Sequence, residues 1–444
     1  MKQDFINYIK KEFNFSDDEI NQFDCACSMP LKKSIRVNTN KVSIENFKKI
    51  AKNNWWQLTE TSLWKNTFYI DRFEDLDTAL WNTSEHQKGY FYVQELAASS
   101  SPYYMSGDKI DYSEYTILDM SASPGGKTTQ LSEYYPNSII VANEINKERF
   151  KWLFFNLDRM WSLNVVCTNY DWRFFKESEE LFDKVLLDAP CSWEWTAFKT
   201  DDSLKYRNIK NIKSISKLQL SLIDSAVKTL KVWWELVYST CTLNKLENEW
   251  VIEAVMDRYK DCLEVVSLGN KNSDSLSSWT NVKDPLSNVN NQNNGSRDSS
   301  LHSEWQLFIR NWPHISHTGW FFVAKIRKIK SIEKEEIKPK YSRNSLFDVK
   351  IDKKNKFAQV KKDIVQNFEK LSSKDTKFLE KYIEDNYNFS IKYKKFYRYK
   401  DEIFVTDMDI SELWKKIFLY KIWVSIWKYK NGEFIPNIYL DNLR

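Results

Sequence analysis

Glycine is nearly missing from this chain. It holds 8 glycines in 444 residues, where average usage of about 7% would give roughly 31, and it holds 19 tryptophans. A chain that must make tight turns has few residues suited to them. Cysteine is sparse as well. Six thiols over this length exclude a disulfide framework, and each reads as a small buried hydrophobe or a working thiol. No apolar run approaches the ~18 residues needed to span a bilayer. The opening MKQDFINYIKKEFNF interrupts its apolar positions with charge and offers no signal-like core, so a cytoplasmic protein is expected. What remains, 42% apolar and 29% charged residues, is a globular composition, and ~150 residues per domain implies about three domains.

Short apolar runs alternate with helical stretches from Thr116 to about residue 330: TILDM, SIIVANE, NVVCT, KVLLDAP and ELVYST. That alternation predicts βαβ units around a parallel sheet, hence an α/β domain over 101–330. Residues 269–300 contain 8 Asn and 8 Ser and read as a flexible surface insertion. Residues 1–100 form a mixed N-terminal region, and 331–444 a tail domain after a charged linker. The tail carries 25 Lys/Arg against 18 Asp/Glu, so it is the basic part. Within it KYKKFYRYK, 392–400, interleaves five cations with four aromatics. Such a mixture can neutralise phosphates and stack on unpaired bases, or it can be a sheet edge guarded by Lys.

The strongest local signal is ILDMSASPGGKT, 117–128: a strand, a turn with Gly125 and Gly126, and the start of a helix whose free N–H groups can face a ligand. Its spacing fits neither a phosphate loop nor the dinucleotide fingerprint. A second strand ends at Asn143-Glu144, where a carboxylate can accept both hydroxyls of a ribose, or simply serve a helix start. A nucleoside ligand without a pyrophosphate, such as S-adenosylmethionine, suits this arrangement. Asp171 follows the strand NVVCT. Asp188 and Cys191 lie in DAPCS at the end of KVLL, and Cys241 closes the strand ELVY in YSTCT. Two thiols at strand ends of one sheet point to chemistry more than to core packing.

The segments SIRVNTNK (34–41), YVQELAASS (92–100), DMSASPGGKTTQ (119–130), NEINKER (143–149), DAPCS (188–192), YSTCTLNKLENE (238–249) and PHISHTG (313–319) together resemble the RNA cytosine-5 methyltransferases of the Nol/Nop/Sun family. They occur in family order. YKNGEFIPN, 429–437, is similar to the C-terminal RNA-binding region of the bacterial 16S ribosomal RNA members. The resemblance implies a Rossmann-like methyltransferase sheet of seven mostly parallel strands, an N-terminal RNA-contacting region and a small α+β RNA-binding tail. It implies Cys241 as nucleophile toward carbon 6 of cytosine, Cys191 as the group assisting loss of the carbon 5 proton and product release, and Asp188 at the ring. S-adenosylmethionine would lie against Ser121, Ala122, Ser123, Pro124, Gly125, Gly126 and Lys127, with Glu144 at the ribose, Asp171 near the adenine and Asp188 alongside. Lys127 can instead be a structural lysine. The partner is RNA, 16S or a small ribosomal subunit, with transfer RNA or a non-catalytic assembly role as alternatives, and a monomer is expected. Arg36 and Asn38 are expected at RNA or interdomain contacts. His314 and His317 lack a partnered Cys pair and read as structural or RNA-contacting residues, so no metal site is expected.

One residue type departs from the family pattern. Trp193, Trp195, Trp233, Trp234 and Trp320 stand where such proteins carry glycine, and Trp55, Trp81, Trp161, Trp172, Trp423 and Trp427 stand where a turn or family glycine is expected. Turns that need positive φ do not suit Trp. The expectation is that the source reads UGA as glycine and that the written sequence reads it as tryptophan; the alternative is true tryptophan enrichment.

Overall fold

The computed structural model describes residues 3–61, 66–73, 78–107, 109–172, 175, 180–192, 209–268, 308–333, 369–387, 395–399, 402–406, 421–422, 424–430 and 433–436. The Asn/Ser insertion, Trp193, Trp195 and Trp423 lie outside them, as does most of the charged linker. Among the described residues no helix is long and apolar enough to cross a membrane.

Two helices begin the chain, α1 (Gln3–Phe13) and α2 (Asp17–Ser28). Ser16 and Glu19 form a reciprocal capping box that starts α2. Apolar residues at helical spacing on both, Phe5, Ile9, Phe13, Ile20 and Phe23, bury against Trp312 and Trp320 far along the chain. The next unit is an antiparallel sheet of β1 (Ser34–Val37), β2 (Trp56–Glu60), β3 (Thr67–Arg72) and β4 (Phe91–Val93), in the order β2-β3-β1-β4. Helix α3 (Ile44–Asn53), capped by Ser43, covers it with Phe47 and Ala51.

The central sheet follows. Its parallel strands are β5 (Thr116–Asp119), β6 (Ile139–Asn143), β7 (Val165–Thr168), β8 (Phe182–Asp188) and β9 (Leu230–Thr240). They read as near-continuous apolar runs because both faces are covered. With β10 (Leu263–Val265), β11 (Ile309–Asn311) and β12 (Phe321–Lys328), the order runs β10-β12-β9-β8-β5-β6-β7, β12 being antiparallel to β9. This is the seven-stranded, mostly parallel arrangement, with β11 added as a hairpin partner of β12. Helices α4 (Gly126–Tyr134), α5 (Lys147–Met160), α6 (Ile209–Thr229) and α7 (Glu249–Arg258) connect the strands.

The tail forms a third, antiparallel sheet from β13 (Glu369–Lys370), β14 (Lys395–Tyr399), β15 (Glu402–Thr406), β17 (Val424–Lys430) and β18 (Glu433–Pro436). Strand β16 (Lys421–Ile422) leaves it and pairs antiparallel with β7, covering the edge of the central sheet.

Arg36 and Asn38 are both fully buried. Asn38 donates to the carbonyls of Gly89 and Met160 at 3.1 and 2.7 Å. Arg36 ion-pairs with Glu133 on α4 and donates from Nε to Gln94 Oε1 at 3.1 Å. Its remaining nitrogen reaches Thr129 Oγ1 at 2.7 Å and the Gly126 carbonyl at 3.3 Å. Gln94 in turn donates to Gln130 Oε1 at 2.9 Å. The N-terminal sheet is therefore locked to α4 by buried polar groups that satisfy one another.

Candidate active site

Ligands of open α/β sheets bind outside the carboxyl ends of the strands, and here the singled-out residues gather at that edge. Strand β5 delivers Asp119, followed by Met120–Gly125. Gly125 has φ +108°, and α4 starts without a side-chain cap, which leaves its first N–H groups for another acceptor. A Cβ on Gly126 would come 3.1 Å from the Tyr92 ring, so this turn is packed tightly from behind. Ser123 exchanges hydrogen bonds with Arg149: its hydroxyl donates to the Arg149 carbonyl and its own carbonyl accepts from the guanidinium, both at 2.7 Å.

Asp119 is buried: Thr128 Oγ1 donates to Oδ2 at 2.6 Å and the Ser121 N–H also favours the carboxylate, while among the described residues Oδ1 makes no hydrogen bond of ordinary geometry. Burial is the main cause that pushes this carboxyl up to about 7, against the hydrogen bond from Thr128 and with help from Asp188. Lys127, on the next turn position, reaches across to Asp188 Oδ2 at 2.8 Å. Ser239 on β9 donates to the other Asp188 oxygen at 2.8 Å. Burial would lower the Lys127 pKa, but the Asp188 carboxylate outweighs it and holds the ammonium charged.

Cys191 and Cys241 come from different strand ends, and their sulfurs lie 2.6 Å apart. The Cys241 thiol is held well above its ordinary range, first by its hydrogen bond with Cys191 and then by burial; Lys127 is the cation that opposes this. Trp320 donates from Nε1 to the Cys241 carbonyl at 3.2 Å and stacks on Phe23, so the N-terminal helices abut the thiol segment.

Glu144 is buried beyond β6, with one oxygen accepting from the Asn146 N–H at 2.7 Å and the other 3.7 Å from the Arg149 guanidinium. Burial pushes its carboxyl up. The sequence left it as ribose acceptor or helix-start partner, and it does serve the start of α5. Asp171 is half-buried in the loop after β7, on the same edge. His314 packs against Phe15, Phe23 and Trp312, and among the described residues no cluster of His, Cys, Asp and Glu could hold a metal.

Sequence reasoning missed the brace beneath the thiols. Gln219 of α6 donates to the Pro190 carbonyl at 2.8 Å and to Glu247 Oε2 at 3.0 Å, and Glu247 accepts the Ser192 N–H at 2.9 Å. Tyr238 donates to the Glu247 carbonyl at 2.6 Å. Glu247 sits inside the quoted segment YSTCTLNKLENE, but only the fold brings it under DAPCS.

Residues 111–327 match the family model for 16S rRNA methyltransferase RsmB/F, and residues 1–96 match that for the N-terminal domain of 16S rRNA methyltransferase RsmF. The ribosomal RNA small subunit methyltransferase F of Shewanella piezotolerans is 37% identical over 78% of this chain and 68% of its own length. Its Vibrio cholerae counterpart is 37% identical over 72% of this chain and 62% of its own. The chain thus spans a little under or just over two thirds of these relatives. A methyltransferase homolog from Pyrococcus horikoshii is similar in structure, with TM-score 0.56 and 25% identity over 74% of this chain and all of the other. NSun6 from the same organism, determined with SFG, has TM-score 0.57 and 22% identity over 74% of this chain and 99% of the other, a likeness of fold. Relatedness over both the N-terminal region and the sheet domain, at this identity and coverage, identifies the chain as a member of the RsmB/F family of 16S rRNA methyltransferases.

Proposed function

We propose that the protein methylates carbon 5 of a cytosine in 16S ribosomal RNA, using S-adenosylmethionine and a covalent adduct between Cys241 and the base. The observation that carries this reading is the meeting of two thiols from separate strand ends, 2.6 Å apart, beside the Lys127–Asp188 ion pair. The cofactor fits the residues present. The uncapped start of α4, the unpartnered Asp119 Oδ1 and the buried Glu144 carboxylate offer N–H donors and hydroxyl acceptors along one edge. Ser121–Lys127 would hold it, with Glu144 toward the ribose and Asp171 toward the adenine. When bound, it supplies a methyl group activated by a sulfonium centre.

Carbon 5 of cytosine is a weak nucleophile, and the chain's task is to activate it. The Cys241 thiol gives its proton to water and the thiolate sulfur bonds to carbon 6, so the electron pair of the 5,6 double bond becomes available at carbon 5. Asp188, fixed by Lys127 and Ser239, accepts a hydrogen bond from protonated nitrogen 3 and stabilises the electron-rich ring. After carbon 5 is methylated, Cys191 as thiolate takes the carbon 5 proton; the 5,6 double bond re-forms as the carbon 6–sulfur bond breaks, and Cys241 leaves as thiolate. The base must leave its stack to reach these groups. Residues 1–100 and the basic tail, 331–444, would grip the surrounding RNA around the sheet domain of 101–330, with the protein acting as a cytoplasmic monomer.

The test uses labelled S-adenosylmethionine with small ribosomal subunits, free 16S RNA and transfer RNA in separate reactions. The expected result is 5-methylcytosine in 16S RNA, absent with Cys241→Ala, and a trapped covalent RNA complex with Cys191→Ala. Label confined to transfer RNA would overturn the substrate; label on 16S RNA that survives Cys241→Ala would overturn the mechanism.

A further inference from the structure

We infer that Arg36 is a positioning residue for the cofactor turn, an inference that rests on the cofactor reading above. It lies in the N-terminal sheet, far along the chain from that turn, yet its guanidinium spans the first two turns of α4. One nitrogen meets Glu133, and another meets Thr129 and the Gly126 carbonyl. Gly126 is the residue whose N–H opens α4, and Lys127, next to it, holds Asp188. Only a planar fork with several fixed donors reaches Glu133, Thr129 and Gly126 together. Arg36→Gln alone strands Glu133, so the informative protein is Arg36→Gln with Glu133→Gln, which removes both buried charges. The wild type must first bind S-adenosylmethionine by calorimetry; if it does not, the cofactor reading fails rather than this one. The double variant, measured well below its melting temperature, is expected to bind the cofactor about tenfold more weakly, with RNA affinity unchanged. Unchanged cofactor affinity would reduce Arg36 to a weld between domains, and a loss of RNA affinity instead would make it an RNA contact.

An independent observation assigns glycine, in the natural protein, to Trp55, Trp161 and Trp233. These have φ of +56°, +61° and +73°. Among the described residues, positive φ otherwise occurs at Gly89, Gly107, Gly125, Asn14 and His317. Trp161 completes the hydrogen-bond pattern that ends a helix at a left-handed residue: its N–H reaches the Asp158 carbonyl at 3.2 Å, and the Ser162 N–H reaches Leu157 at 3.1 Å. Trp55 lies just past the C-cap Asn54 of α3, its N–H on the Lys52 carbonyl at 3.2 Å. Trp233 sits where β9 bulges out of register against β8. Trp55 and Trp233 are 66% and 70% exposed, so nothing rewards an indole there. Trp56 and Trp312 differ: each is buried edge-on against aromatic rings, Phe91 and Phe13. A chain with 8 glycines and 19 tryptophans, placing tryptophan on glycine backbone, is explained by a source that reads UGA as glycine. Sequencing the gene is expected to give UGA at 55, 161 and 233 and UGG at 56 and 312. Peptides from the protein made in its own source should carry a hydrogen in place of one indolylmethyl group per site, and be lighter by that difference. UGG at any of the three, or peptide masses matching tryptophan, would overturn the assignment. As a check on the same chain, Trp55→Gly, at a 66% exposed site, should raise the melting temperature by about 2–4 °C; a fall would count against it.

Discussion

Helix α4 carries a buried polar cluster on each of two faces, and the two are finished differently. Gly126, Thr129, Gln130 and Glu133, at helical spacing, face the N-terminal sheet, where the side-chain nitrogens and oxygens of Arg36, Gln94, Gln130 and Glu133 all find partners. Lys127 and Thr128 face the carboxyl edge. There, among the described residues, Asp119 Oδ1, Ser192 Oγ and Gln219 Oε1 have no hydrogen-bond partner, and two thiols face each other. A buried polar group left unpaired costs stability, so a cluster closed on one side and open on the other marks which side a ligand completes.

The largest break in that contrast is at the open face. Cys241→Ala should lower methyl transfer by at least about 10³-fold while lowering the melting temperature by only a few degrees, because the change removes a single sulfur from a partly buried site. Lys127→Met comes next. It removes the cation that holds Asp188 and opposes the rise of the Cys241 pKa, so kcat should fall about 10²-fold and the alkaline pH needed for activity should rise. A pH–rate profile separates the two consequences.

Replacing Cys191 sharpens the comparison from the other direction. Its hydrogen bond is the leading cause that keeps the Cys241 thiol up, so Cys191→Ala should move the midpoint of Cys241 alkylation by iodoacetamide to lower pH. An upward move would mean that burial dominates instead.

Much of this edge was legible from sequence because strand ends announce themselves: an apolar run stopping at Asp119, Glu144, Asp188 or Thr240 leaves its next side chains at the rim. The five parallel strands followed from the same runs, whereas the count of seven came only with the family resemblance, since β10 and β12 are in none of those runs. Arg36 was not legible. An arginine in an exposed-looking strand suits RNA or a domain joint equally, and only its burial against Glu133 decides. Gln219 and Glu247 were hidden for a related reason, since their partners lie 28 and 55 residues away from Glu247. Strand β16 was hidden too, because two residues carry no periodicity. The tryptophans divide similarly: family and turn positions single out eleven, of which Trp55, Trp161 and Trp233 have positive φ, while Trp234 packs edge-on to Tyr115 and Trp320 stacks on Phe23.

The smallest expected effect concerns the orphaned oxygen itself. Asp119 has a folded pKa of about 7 against an ordinary 3.8, so the folded state holds its proton more tightly than the unfolded chain does. Stability should therefore fall as pH rises from about 4 through 7, and the full penalty should persist above that. Asp119→Asn removes the titration and keeps an acceptor for Thr128, so urea unfolding at pH 5 and pH 8 should differ less in the variant than in the wild type. If S-adenosylmethionine supplies the missing partner to Oδ1, saturating cofactor should also shrink the wild-type difference. The closed cluster predicts no such response: Glu133 is also pushed up by burial, but its partners belong to the protein and stay in place whether or not cofactor is bound.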